Sequence, residues 1–178
     1  MGLDTNIYKV VGYALPLYIL EDFYEEYKKE NRDYEDIKIH EFIEDIELPD
    51  GISLQVQSDD PAYGCYIDDP HLFLVIKEEE VGVDIFSING NPPDDPLIND
   101  AGEKLFYDYE TGEAEYILDD NECGYGFGAP EILNLSDYGF STPKEDTDIR
   151  IALKDAVSKY CIDLDEFGYS TFLFSYYF

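Results

Sequence analysis

Forty-two acidic residues against eleven basic ones give this 178-residue chain a formal charge of -31, and such self-repulsion works against any compact state. Folding then needs a large apolar contribution, which 44% hydrophobic and 16% aromatic residues can supply. Intrinsically disordered segments pair high charge with few aromatics, so this composition argues against disorder. The length suits one acidic domain over residues 1–178 with a sizeable core.

The charge also restricts partners. A basic nucleic-acid-binding surface is all but excluded, and attachment to anionic lipid would need polybasic segments. The longest apolar stretches, such as Ala14–Leu20 and Leu72–Ile76, fall far short of the roughly 20 residues of a membrane span. The N-terminus lacks the basic region and apolar core of a signal peptide, and Gly2 lacks the Ser/Thr at position 6 of a myristoylation signal. Cys65, Cys123 and Cys161 make an odd count without a CxxC pair, which suits reduced thiols. A cytoplasmic protein is the expectation.

Acid is concentrated along the chain. Residues 1–50 carry a net -9, residues 51–140 a net -19, and residues 141–178 a net -3. Lys77 and Lys104 are the only bases of the middle segment. Local patterning predicts an N-terminal strand over Leu3–Val11, then a helix over Leu17–Lys29. Leu17, Leu20, Phe23/Tyr24 and Tyr27 form the helix's apolar stripe, with Glu21, Asp22, Glu25 and Glu26 off it. Residues 37–48 start with strand alternation and then step like a helix at Phe42, Ile43 and Ile46. Short β runs follow at Ile52–Val56, Leu72–Lys77, Val81–Ile88, Lys104–Tyr109 and Glu115–Leu118, an antiparallel meander. Thr142, Pro143 and Glu145 offer an N-cap, a first-turn proline and a capping-box glutamate for a helix running to Cys161. Its stripe is Ile149, Leu153, Ala156, Val157 and Tyr160. Tyr169–Phe178 reads as a closing buried strand. The expected class is α+β: an antiparallel sheet of about five to seven strands flanked by two helices.

Asp-Asp-Pro recurs at Asp59–Pro61, Asp68–Pro70 and Asp94–Pro96, at unequal spacings that rule out a solenoid period. Each is a turn by its chemistry, since Asp accepts backbone hydrogen bonds and Pro presets the next dihedral. Such turns also hold paired carboxylates on exposed loops. Asp119–Gly124 starts like a calcium loop but fails: Cys123 takes a ligand position that needs oxygen, and Pro130 stands at the twelfth position. A bare D-x-D at Asp163/Asp165 is common in acidic chains. Gly124–Gly128 lacks the Walker lysine and the Rossmann spacing, and His40 and His71 fit no zinc pattern. No metal or other cofactor is expected, no nucleophile motif is present, and no catalytic residue is assigned.

Charge magnitude is more informative. A folded chain of this mass exposes on the order of 8,900 Å², so its net charge averages one per about 290 Å². Duplex DNA presents one per roughly 107 Å². Matching DNA therefore requires the acids to gather on one face. Halophilic solvation fits poorly with 17 isoleucines and nine lysines to two arginines, and ordinary solubility needs far less charge. A basic partner remains, steered by the acidic field. The 17 tyrosines, many beside acids, add a residue type favoured at interface hot spots, although core packing claims at least half of them.

In size, charge and Asp/Glu/Tyr loops the chain resembles, as a class, the acidic DNA-mimic proteins of phages and mobile elements. These block restriction enzymes, CRISPR effectors or other nucleic-acid-binding host proteins. The class shares no one fold, so the resemblance transfers no residues. The resulting expectation is a non-enzymatic inhibitor that occupies the basic site of a nucleic-acid-binding protein, without binding nucleic acid or membrane itself. Partner-binding candidates are Asp59, Asp60, Asp68, Asp69, Asp94, Asp95, Asp108, Tyr109, Glu110, Asp119, Asp120 and Glu122. A carboxylate-based metal-dependent enzyme and an acidic structural or assembly protein remain open alternatives, and sequence leaves the oligomeric state undecided.

Overall fold

The computed structural model describes residues 5–31, 37–57, 71–81, 94–108, 113–117 and 132–177. Their strands are β1 (Thr5–Pro16), β2 (Ser53–Val56), β3 (His71–Glu80), β4 (Leu97–Ile98), β5 (Lys104–Asp108), β6 (Glu113–Ile117), β7 (Ile132–Asn134) and β8 (Tyr169–Tyr177). Their α-helices are α1 (Glu21–Glu30), α2 (Ile39–Glu44) and α3 (Thr147–Ser158). The fold is α+β, with a five-stranded sheet in the order β2-β3-β1-β8-β7 and a three-stranded sheet in the order β4-β5-β6.

The centre of the larger sheet is apolar on both faces. β1 buries Ile7, Val10, Val11, Tyr13 and Leu15, and β3 buries four consecutive residues, Leu72–Val75. Such runs need cover on either side. Contacts show that β1 runs antiparallel to both neighbours. Tyr8 stacks on Phe174 while Tyr13 meets Tyr169, and the Val81 N–H donates to the Ile7 carbonyl while Gly12 lies against Leu74. A Cβ at Gly12 would fall 1.8 Å from the Leu74 carbonyl oxygen, so only glycine permits this approach of β1 to β3.

The chain divides into two units. The first comprises Met1–Val10, Glu78–Thr142 and Ser170–Phe178. Its core gathers Ile7, Leu105, Leu135 and Leu173, with Val81, Leu97, Leu133, Tyr138 and Phe140 packed against them. The second comprises Val11–Lys77 and Pro143–Tyr169. It packs Phe23, Tyr24, Tyr27, Phe42 and Tyr160 ring against ring, with Leu153 and Val157 buried on α3.

Three expectations change. The apolar stripe beginning at Leu17 opens as a 3-10 turn, Leu17–Leu20, before α1. Within residues 37–48, open between strand and helix, Ile39–Glu44 form α2, because Ile39, Phe42 and Ile43 recur at helical spacing and are all buried. Thr142 is not the cap of α3. Asp146 is, its carboxylate accepting from the N–H groups of Asp148 and Ile149 at 2.9 and 3.0 Å. Glu145, read as a capping-box residue, instead binds Tyr13 and Arg150. The interior stripe of α3 is as expected over the helix, with Leu153 and Val157 buried and Ile149 and Ala156 half-buried, but the helix ends at Ser158, short of Tyr160 and the expected end at Cys161.

β3 also runs on through Glu78–Glu80, past its expected end at Lys77, although all three residues are exposed and poor strand formers. The Val81 to Ile7 hydrogen bond and a Lys9–Glu79 ion pair at 3.6 Å support that extension. The expected strand over Val81–Ile88, the Asp119–Gly124 loop and the Gly124–Gly128 run lie largely or wholly outside the described residues.

Candidate partner-binding surface

The described acids lie at the surface. Every acid whose side chain is described is exposed, apart from the half-buried Glu103 and Glu145. On α1 the cause is helical spacing: Phe23, Tyr24 and Tyr27 turn to the packed side, leaving Glu21, Asp22, Glu25, Glu26 and Glu30 in solvent. The phenols of the inner row are anchored, Tyr24 donating to the Ile37 carbonyl and Tyr27 to Asp45 Oδ2, each at 2.6 Å. The bond to Asp45 raises the Tyr27 pKa above the usual phenol value. Lys28 pairs with Glu25 and lies 4.4 Å above the Tyr24 ring.

A second group of acids is committed to cations. Arg150 on α3 donates from Nη1 to Glu145 Oε2 and to the Tyr13 hydroxyl, both at 2.8 Å, and from Nη2 to Asp165 Oδ1 at 2.6 Å. The Tyr13 hydroxyl donates to Glu145 in turn, and Lys154 donates to Asp165 Oδ2 at 2.5 Å. Burial, then the bond to Glu145, holds the Tyr13 phenol far above its ordinary pKa. Lys154 and then Arg150 hold the Asp165 carboxyl below its own. The D-x-D pair is thereby split, Asp165 facing two cations while Asp163 caps the 3-10 turn Leu164–Glu166 by accepting from the Asp165 N–H at 3.0 Å. Among the described residues no group of three or more His, Cys, Asp or Glu side chains is arranged to hold a metal ion. Cys161 is exposed and free.

Of the twelve partner-binding candidates, three fall in described positions. Asp94 and Asp95 occupy a bend ahead of β4, both exposed, as expected of an Asp-Asp-Pro turn. Asp108 ends β5. Register brings these three to one end of the smaller sheet. Leu97 pairs with Leu105 and Ile98 with Lys104, so what precedes β4 lies at the end where β5 finishes. There Asp108 stands opposite Glu113 on β6. Glu113 was not among the candidates. The β5–β6 register identifies it, and this depends on where the hairpin turns. Asp59, Asp60, Asp68, Asp69, Tyr109, Glu110, Asp119, Asp120 and Glu122 lie outside the described residues.

The opposite end of the same sheet is organised by Asn99, which is buried. Its Oδ1 accepts from the N–H groups of Ala101 and Glu103 at 3.1 and 2.8 Å, and its Nδ2 donates to Glu103 Oε2 and the Tyr138 carbonyl, both at 2.9 Å. Gly139, at φ +82°, passes so close that a Cβ there would sit 3.0 Å from Asn99 Nδ2. Asp100 accepts from both the hydroxyl and the N–H of Ser141, which lowers its pKa. Chemically, the described surface offers many exposed carboxylates, some of them bonded to the lysines and Arg150 that share it. No described helix is long and apolar enough to cross a membrane. Compared with family models, curated proteins and solved structures, the chain matches none.

Proposed function

We propose that the protein is a non-enzymatic inhibitor that mimics nucleic acid and fills the basic DNA- or RNA-binding site of another protein. The partner belongs to the class of host defence or nucleic-acid-processing proteins, such as restriction or CRISPR systems, and the setting is the cytoplasm of a cell infected by a phage or carrying a mobile element. The observation that carries this reading is the exposure of the acids: with a net charge of -31, the described carboxylates face solvent with only Glu103 and Glu145 half-buried. Charge of this magnitude weakens the folded state, so its retention at the surface calls for a use outside the fold. An acidic field supplies one by steering encounter with a basic groove and setting specificity against other surfaces.

The binding face in this reading is the middle segment, residues 51–140, with its net -19. Of its candidate residues, Asp94, Asp95 and Asp108, at one end of the smaller sheet, are the described ones. The test is a variant with Asp68/Asp69, Asp94/Asp95 and Asp119/Asp120 all changed to Asn, compared with a Glu25/Glu26→Gln control. Partners are first recovered from host lysate by affinity capture at low and high salt. The middle-segment variant is expected to associate more slowly and bind less, while the α1 control binds like wild type. The reverse result would move the face to α1.

A further inference from the structure

We draw no further inference here: the strongest candidate, the row of exposed carboxylates Glu21, Asp22, Glu25, Glu26 and Glu30 along α1 beside the half-buried Tyr24 and Tyr27, is an acidic cluster at which nothing in the structure points to a ligand.

Discussion

At one end of the β4-β5-β6 sheet Asp100 and Glu103 are tied into hydrogen bonds with Ser141 and Asn99, whereas at the other Asp94 and Asp95 sit exposed on a bend and Asp108 stands opposite Glu113. The same residue type thus does two jobs within one small sheet. Acids at the turn end satisfy backbone and side-chain donors and fix the local chain. At the open end Asp94 and Asp95 add charge to the surface, and opposite placement of like charges across a ladder, as Asp108 and Glu113 are registered, costs stability in general. The second unit repeats the contrast, with Glu145 and Asp165 bound to Arg150 while Asp22 and Glu26 face solvent on α1. Composition alone cannot separate these two populations of carboxylates; the hydrogen bonds do.

The contrast breaks most visibly at Asn99. Asn99→Ala strips partners from the N–H groups of Ala101 and Glu103 and from the Tyr138 carbonyl. It should cost about 2–3 kcal/mol in urea unfolding, the penalty for stranding buried polar groups. A loss below about 0.5 kcal/mol, the size of an ordinary surface change, would mean that the turn end is no more structural than the open end.

At α3, Asp146→Ala should cost about 1 kcal/mol as the loss of an N-cap, and Thr142→Ala clearly less, since Thr142 makes no cap. Equal losses, read from thermal or urea midpoints, would restore the earlier cap assignment.

The pH dependence of stability sharpens the same division. Tyr13 has a folded pKa raised above the ordinary phenol value of 10.0, so its contribution is full below that value and is lost as pH rises beyond it. Tyr13→Phe should therefore flatten the alkaline limb of a stability profile. Asp100 has the opposite sign. Its folded pKa lies below 3.8, so its contribution is present above that value and disappears as pH falls through the lower folded one. Asp100→Asn should flatten the acid limb slightly, by an amount kept small by solvent exposure. Unchanged limbs in both variants would contradict the tied-acid description.

The smallest stability effect belongs to the open end. Asp94→Asn and Asp95→Asn should each change unfolding free energy by no more than about 0.5 kcal/mol, in either direction. A loss of about 2 kcal/mol would show that these acids hold the fold together, and would remove them from the proposed binding face.

Legibility from sequence followed the reach of the interactions. The stripe of α3, the closing strand and the turn at Asp94–Pro96 are local patterns, and each was readable. The start of α3 was not, because Thr142-Pro143-Lys144-Glu145 carries every local signal of a helix beginning there. Tyr13, far away in sequence, takes Glu145 out of that role together with Arg150. The tail of β3 at Glu78–Glu80 and the pairing of Asp108 with Glu113 depend likewise on neighbouring strands. The proposed site rests on a concentration of charge over residues 51–140, and nine of its twelve candidate residues lie outside the described ones. In a chain with 42 acids, residue type alone does not distinguish a carboxylate that caps a turn from one offered to a partner.

Competition with nucleic acid for a captured basic partner tests the central claim most directly. The complex is titrated with duplex DNA or RNA, and the titration is repeated across a range of salt. Mimicry predicts that nucleic acid and this protein exclude each other on the partner, and that affinity falls steeply as salt rises. A ternary complex that retains nucleic acid, or an affinity unchanged by salt, would contradict it.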